Sequence, residues 1–398
     1  MWNLSKQAKE KFAKCNTLPI PETDEEWEMT LNEAKEEGAD LLSQLQEELE
    51  EVKAALLQIV PTRFIPYIEN GTLNQPSLPK SVRDDYLQWM READKEFEQV
   101  LDAAYEQTEK AISFLSTEIQ DMFAESLHDS IIERIKRDGN SLHLYINTDS
   151  GFSSKALIHL MFEDVISEES DEPLEVGQWI IYNELQKTEE GFAFRVLFEC
   201  PDAQWTIAMR NMDAQYYYRP ALYTILNIED KLAQTTFEEY TQQLNPDLRY
   251  WLCTPHFIRP IKSFSDTITL ENGKVEFNPD KIVVSLGDQL FTYEMEENNP
   301  ISFIYTDKYE DPYAQLNEPL PFEKIEVAAL GKDLELQVRA WNTMYANPEE
   351  LTDIINHIFS KLEITEENEM LVTVYVNHFY QNGVLSEVIV EKYRSLIG

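Results

Sequence analysis

Positively charged residues are scarce in this chain of 398 residues. It contains 33 lysines and arginines against 74 aspartates and glutamates, so its formal net charge is −41 at pH 7 with neutral histidines. A surface of that sign repels the phosphate backbone of DNA and RNA and offers few cations to anionic lipid. The composition therefore argues against direct nucleic-acid binding and against docking on a membrane.

Cysteine, glycine and long apolar runs are also scarce. The three cysteines, Cys15, Cys200 and Cys253, are too widely spaced for a disulfide framework or a zinc cluster, and they indicate a reducing compartment. With 11 glycines, the chain has neither of the glycine-rich loops that hold nucleotide phosphates in P-loop and dinucleotide-binding folds. The N-terminus lacks a signal segment, and no apolar run approaches the ~20 residues of a membrane span. We predict a cytoplasmic protein without a cofactor.

Two stretches near the N-terminus have helical periodicity. The first, predicted as a helix over residues 24–58, has a heptad seam that starts at Leu42 and extends to the adjoining Ile59. The second, residues 81–123, carries an apolar stripe from Val82 to Ala104. The proline-rich segment 61–79 separates them. Because neither helix can bury its stripe alone, we predict that the two form a long antiparallel hairpin.

After residue 123 the apolar period changes from 3.6 to 2, which is typical of an antiparallel meander. The alternating segments are residues 142–146, 156–162, 192–198 and 205–209. Farther along, we predict helices at 221–245 and 348–362 and strands at 268–277, 282–286, 301–305, 325–329, 334–340 and 370–376. The chain is thus expected to be an α+β protein with an acidic helical hairpin (1–125), an antiparallel β meander (126–215) and a second α+β domain (216–398).

The densest polar motif is Ser126-Leu127-His128-Asp129-Ser130. His128 is a candidate general base that Asp129 would orient. However, neighbouring side chains of an extended chain point to opposite faces, which favours a turn in which His128 bonds an adjacent strand. His143 and His159 lie in adjacent predicted strands but lack a third metal ligand. We assign no catalytic residue and no metal site, and His128 and Asp129 remain the candidates for a hydrolase.

Three consecutive tyrosines, Tyr216, Tyr217 and Tyr218, form an unusual run. They cannot all be buried on one face, and an exposed tyrosine is a good contact residue for a protein partner. The alternative is a segment that is covered on both faces. We include the run among the candidate binding residues.

The strongest physical signal is the placement of charge. Between Glu22 and Gln58 there are 13 acidic residues against Lys35 and Lys53, a net charge of −11, where an even spread gives about −4. The alternative is a solvated helix face, but such a face normally mixes in lysines for i,i+4 pairs. A basic partner would relieve this repulsion. The predicted binding residues on this helix are Glu47, Glu48, Glu50 and Glu51.

Several motifs of the first half resemble, in order, those of an uncharacterised bacterial domain-of-unknown-function family, family 4085. They are Thr23-Asp24-Glu25-Glu26-Trp27-Glu28, the linker from Val60 to Thr72, the Ser126–Ser130 motif and the strand from Phe194 to Pro201. The resemblance covers roughly residues 1–215. The Leu127–Ser130 turn is also similar to one in small immunity-type proteins of bacterial toxin systems. Since the family has no established activity, the resemblance implies a fold and no catalytic residues.

We therefore expect a non-enzymatic acidic binding protein that engages a basic protein partner. It would act as an immunity protein or antitoxin, or as an inhibitor that mimics nucleic-acid charge. The alternatives are a hydrolase centred on His128 and a cytoplasmic or phage-borne protein with a purely structural interaction role. The sequence leaves the oligomeric state and the identity of the partner open.

Overall fold

The computed structural model describes residues 2–264, 267–365 and 368–397. It confirms an α+β protein with an N-terminal helical region and two antiparallel sheets. The chain forms two compact units, one of Met1–Arg219 with Asn245–Tyr309 and one of Pro220–Leu244 with Glu310–Gly398. Within the described ranges, no helix combines the length and the apolar composition of a membrane span.

The N-terminal region of the first unit is helical. Its elements are α1 (Lys6–Cys15), α2 (Asp24–Glu37), α3 (Leu41–Ile59), α4 (Ile65–Glu69), α5 (Lys80–Ile112) and α6 (Thr117–Phe123). The helix predicted at 24–58 is therefore divided, because Gly38 adopts a left-handed conformation (φ 71°) and ends α2, while Asp40 caps α3. The helix predicted at 81–123 is divided as well, since Ser116 caps the separate α6.

The apolar stripes of α3 and α5 share one cluster with α4. Leu49 and Leu56 of α3 are buried there together with Tyr86 and Met90 of α5. Farther along, α5 packs against the following sheet, where the hydroxyl oxygen of Thr108 accepts a hydrogen bond from a strand amide. The helical region is thereby anchored to the sheet through α5.

The first sheet closes into an antiparallel barrel with the order β1-β2-β3-β6-β5-β4. Its strands are β1 (Ser130–Asp138), β2 (Ser141–Asn147), β3 (Leu157–Ser170), β4 (Trp179–Lys187), β5 (Phe192–Glu199) and β6 (Ala203–Tyr217). The strands predicted from alternation are confirmed, and inward side chains such as Phe162, Phe194 and Trp205 fill the core. Strands β1 and β4 are additions to the sequence prediction, and their pairing closes the barrel.

A β-bulge in β1 decides which of its side chains face outward. Ile132 pairs with Ile146 and faces the core, but the next pair is Arg134 with Tyr145, so Glu133 is an extra residue on β1. Without this insertion the alternation would turn Arg134 inward. The bulge therefore places Arg134 on the outer surface of the barrel, beside Tyr145.

The second sheet of the first unit has the order β12-β11-β10-β9-β8-β7-β13. Its strands are β7 (Tyr250–Cys253), β8 (Ile258–Phe264), β9 (Ile268–Leu270), β10 (Gly273–Phe277), β11 (Lys281–Leu286), β12 (Gln289–Glu294) and β13 (Ile304–Thr306). The strand predicted at 268–277 is a hairpin of β9 and β10, and the one at 282–286 lies within β11. The one at 301–305 is mostly a 3-10 turn that leads into β13. A bridge between Tyr218 and Thr306 connects this sheet to the end of β6.

The described part of the second unit is helical. Its helices are α7 (Ala221–Ile228), α8 (Phe237–Gln243), α9 (Phe322–Ala329), α10 (Leu334–Ala346), α11 (Thr352–Lys361), α12 (Glu369–Gln381) and α13 (Glu387–Lys392). The helix predicted at 348–362 is confirmed as α11, whereas the one at 221–245 is divided into α7 and α8. The strands predicted at 325–329, 334–340 and 370–376 are wrong, because these segments form α9, α10 and α12.

The spacing of the buried residues explains this correction. In α12, Val372, Tyr375, Val376 and Phe379 are buried, which is the i, i+3, i+4, i+7 pattern of one helix face. Val372, Val374 and Val376 favour a strand by intrinsic propensity, but Val374 is exposed. Packing of one helical stripe therefore outweighs β propensity in this segment.

Candidate functional site

The four glutamates predicted to bind a partner lie on α3, and all of them are exposed. They belong to a larger feature, which we call the acidic surface: the 13 acidic residues between Glu22 and Gln58, each of which is exposed. Three of these form ion pairs, namely Glu22 with Arg91, Asp24 with Arg83 and Glu50 with Lys53. The other ten, including Glu47, Glu48 and Glu51, have no ion-pair partner among the described residues.

Apolar side chains are exposed within the same stretch of chain. Met29 on α2 is 62% exposed and Leu42 on α3 is 53% exposed, and Leu31 and Leu57 are also accessible. Protein interfaces combine apolar contacts with a charged and polar rim. The stretch 22–58 therefore offers both kinds of contact to a protein partner.

The tyrosine run at the end of β6 is divided between two faces. Tyr217 is 5% exposed, and its ring centre lies 5.3 Å from that of Trp251 on β7. Tyr216 and Tyr218 are half-buried on the other face, with ring centres 5.8 Å apart, and the Tyr216 hydroxyl donates to Asp121. The run therefore does not form one continuous exposed tyrosine patch.

The structure brings His128 and Asp129 together. The Nδ1 atom of His128 lies 2.6 Å from the carbonyl oxygen of Ile181 on β4, and since a carbonyl only accepts, Nδ1 carries the hydrogen. The Nε2 atom lies 3.7 Å from Oδ1 of Asp129. Asp129 adopts a left-handed conformation (φ 61°), so the backbone is not extended here and the expected opposite orientation does not apply.

The surroundings of His128 are mostly apolar. It lines a cavity of about 490 Å³ together with Tyr182 and Phe152, whose side chain is 72% exposed. Among the described residues, no serine, threonine or cysteine side chain forms a hydrogen bond with the His128 ring. The geometry supplies an oriented imidazole but no activated nucleophile beside it.

An ion pair between a buried lysine and a half-buried glutamate fixes the loop next to His128. The Nζ atom of Lys155, whose side chain is 4% exposed, lies 2.9 Å from Oε1 of Glu125. Burial raises the pKa of Glu125, but hydrogen bonds from Ser153, Lys155 and Ser154 outweigh burial and lower this pKa to about 2. Glu125 therefore stays ionised at neutral pH and holds the loop in place.

A second cavity, of about 770 Å³, lies in the first unit; we call it the cleft. One wall is the outer face of the barrel, where Arg134, Tyr145, His159 and Gln215 are cross-strand partners along β1, β2, β3 and β6. The guanidinium carbon of Arg134 lies 3.4 Å from the Tyr145 ring centre, and Tyr145 stacks on His159 at 4.2 Å. These contacts form a continuous column of a cation and two rings.

The opposite wall of the cleft comes from the second sheet. It contains Trp251 of β7 and residues 256–260, which lead into and begin β8. Arg259 is exposed on this wall, as is Lys136 on the barrel wall. The carboxylates that line the cleft are Glu118 and Asp307, and Asp307 lies 3.7 Å from Arg249.

His159 on the barrel wall is uncharged at neutral pH. Burial, and then the neighbouring His143, lower the pKa of His159 to about 4. Burial, and then Lys136, also lower the pKa of His143. No group of three or more metal-ligating side chains occurs in the part of the chain that the structure describes. The permanent charges of the barrel wall are thus those of Arg134 and Lys136.

The cleft could not be predicted from the sequence, although Tyr216 and Tyr217, which line it, belong to the predicted binding residues. Strand β1 was not predicted, and the outward position of Arg134 depends on the bulge at Glu133. One signal was present: residues 131–137 mix isoleucine with charged residues, as a half-buried strand does. No sequence pattern indicates that the second sheet forms the opposite wall of the cleft.

Residues 6–209 match the model of a family that is described as "Protein of unknown function (DUF4085)". The match covers more than half of the 398 residues, and it spans the helical region and most of the barrel. Neither the curated proteins nor the solved structures yielded a match to this chain. The similarity of the Leu127–Ser130 turn to immunity-type proteins stays a prediction. The family resemblance is confirmed, and the chain belongs to the DUF4085 family of proteins of unknown function.

Proposed function

We propose that this protein is a non-enzymatic binding protein whose acidic surface engages a basic surface of a protein partner. The observation that carries the proposal is the charge of residues 22–58. Ten of the 13 exposed carboxylates there have no ion-pair partner among the described residues. A fold that needed these charges only for solubility could pair them with lysines along the helices, as surface helices commonly do.

Such a surface would act through many small contributions. An exposed ion pair contributes ~0–1 kcal/mol, so affinity requires several pairs together, and the larger effect is faster encounter. Exposed Met29 and Leu42 would add apolar area that charge alone does not supply. The partner is thus a protein with clustered lysines and arginines around apolar side chains.

The chemistry suits an immunity-like, antitoxin-like or inhibitory role. A toxin or enzyme that binds nucleic acid presents a basic groove, and a rigid helical surface of carboxylates would compete for that groove. We place the protein in the cytoplasm, because Cys15, Cys200 and Cys253 are all free thiols. Residues Glu47, Glu48, Glu50 and Glu51 are proposed as contact residues.

The test compares association kinetics of three proteins with a partner recovered from the native cell. The first is wild type and the second carries lysine at positions 47, 48, 50 and 51. The third is a matched control with Glu349, Glu350, Glu363 and Glu387 changed to lysine, which are exposed glutamates of the second unit. All three are measured at low and at high salt.

We expect the α3 variant to associate more slowly and the control to behave as wild type. Raising the ionic strength from about 0.05 to 0.5 M shortens the Debye length from roughly 14 to 4 Å, so wild-type association should slow as well. Equal rates for all three proteins, without a response to salt, would show that the acidic surface is not the binding face.

A further inference from the structure

The cleft differs in charge from the rest of this acidic protein. Its lining includes the cations Arg134, Lys136 and Arg259 and the carboxylates Glu118 and Asp307. Cations therefore outnumber carboxylates in this cavity, although the whole chain has a net charge of −41. Asp307 is shared with Arg249 and Lys136 with Asp138, whereas Arg134 and Arg259 form no ion pair within the described ranges. An anion would meet a locally favourable site here.

Arg134 is the central cation of the cleft, and the described part of the protein offers its guanidinium no hydrogen-bond acceptor. Within the described ranges, it forms no ion pair and no hydrogen bond, and its Nε atom is buried without an acceptor. The indole nitrogen of Trp251, on the opposite wall, is also buried without an acceptor. A buried donor without an acceptor destabilises the fold, so native proteins rarely retain one without a reason. Both walls thus have donors for which the protein offers no acceptor.

Aromatic side chains make the cleft suitable for a flat ring. Trp251 and Phe257 lie on one wall, and Tyr145 and Tyr217 lie on the other. The guanidinium carbon of Arg134 already lies over the Tyr145 ring, which restricts the arginine side chain before any ligand arrives. A volume of about 770 Å³ is within the range of small-molecule sites in proteins.

We propose that the cleft binds a small phosphate monoester that carries an aromatic ring, the class to which nucleoside monophosphates belong. Its phosphate would pair with Arg134, Lys136 and Arg259, and its ring would pack against Trp251. A monoester carries nearly two negative charges and three acceptor oxygens, which matches three cations. A nucleic-acid strand would instead bring many phosphates against the negatively charged surface outside the cleft.

The test is calorimetric titration of the full chain at neutral pH and low ionic strength. The probes are AMP and 4-nitrophenyl phosphate. Two control molecules are titrated as well: adenosine, which lacks the phosphate, and inorganic phosphate, which lacks the aromatic ring. We expect saturable binding of both esters, and binding at least ~10-fold weaker for adenosine and for inorganic phosphate. Failure of both esters to bind, or equal affinity for adenosine, would overturn the proposal, as would equal affinity for inorganic phosphate.

Variants assign the binding to the cleft. Arg134→Gln and Arg259→Gln should each weaken ester binding by ~10-fold or more, because each removes a charge-assisted contact. Arg210→Gln is the matched control, since Arg210 is exposed on β6 but does not line the cleft. Arg259 is exposed and forms no ion pair within the described ranges, so its variant can be tested even if Arg134→Gln does not fold. Unchanged affinity in Arg259→Gln would overturn the proposal.

Discussion

The Nδ1 atom of His143 lies 3.0 Å from the Nε2 atom of His159 on the neighbouring strand. Two neutral imidazoles can share such a hydrogen bond, with one nitrogen donating and the other accepting, whereas two protonated rings repel. His159 also faces Arg134, Lys136 and Tyr145, and it bonds Gln215. Burial is the main reason why its pKa falls to about 4.

This pair predicts a specific loss of stability in acid. The pKa of His159 is about 4 in the folded chain and about 6.5 when unfolded, so between these values the unfolded chain binds more protons. The stability that neutral His159 maintains is therefore lost as the pH falls from about 6.5 to 4. As the pH falls over this range, the melting temperature of wild type should decrease more than that of His159→Gln. His357→Gln, which changes an exposed histidine, should not reproduce that difference.

The ion pair of buried Lys155 with half-buried Glu125 predicts a large effect of removing the carboxylate. In Glu125→Gln the Lys155 ammonium stays buried without its carboxylate, which should cost about 3–5 kcal/mol of unfolding free energy in urea. Glu106→Gln is the control, because it breaks an exposed i,i+4 pair with Lys110 and should change little. The double variant Glu125→Gln/Lys155→Met should recover part of the loss. Equal losses in Glu125→Gln and Glu106→Gln would contradict a structural role for this ion pair.

Asp129 provides a test of the polar turn. Its φ of 61° is unfavourable for a residue with a Cβ, and aspartate tolerates it better than most because its short side chain can bond locally. Asp129→Ala should lower stability by ~1–2 kcal/mol, whereas Asp129→Gly, which accepts this conformation, should lower it less. Thermal melting distinguishes the two. If glycine and alanine are equally damaging, the carboxylate is what matters, and the conformation is not the cause.

The barrel shows how much of the fold could be predicted from the sequence. The alternation of Leu142, Leu144 and Ile146 specified both the strand β2 and its inward face, because a sheet buried on one side has a period of 2. Closure was not predictable in this way, since it depends on pairing between β1 and β4, which are about 50 residues apart and were not recognised. The local pattern identified strands β2, β3, β5 and β6, and long-range pairing between β1 and β4 decided the architecture.

The two candidate sites differ in the same way: the acidic surface could be predicted from local sequence and the cleft could not. The acidic surface was visible because it depends on consecutive residues of helices, and exposure of Glu47 or Glu51 follows from the helical period alone. The cleft was not visible, because it needs the one-residue bulge at Glu133 and a wall from residues 251–260. Neither has a local signature strong enough to place Arg134 opposite Trp251.

The last prediction concerns the cost of the acidic surface to the fold. Glu47 and Glu51 are exposed and lie four residues apart on α3, an arrangement in which like charges repel. Glu51→Lys replaces that repulsion with a glutamate that precedes a lysine by one turn, the favourable order. We expect a gain of about 0.5–1 kcal/mol in unfolding free energy, measured with urea so that the denaturant adds no salt.

Glu47→Lys is the matched control for this variant. It changes the net charge equally but places the lysine before the glutamate, the less favourable order, so its gain should be smaller. At about 0.5 M salt, where the Debye length is roughly 4 Å, both gains should shrink. A gain that persists at high salt would contradict an electrostatic origin. If the gain is confirmed, the native glutamates reduce the stability of the helix that carries them, which is the pattern expected of residues that serve contact with a basic partner.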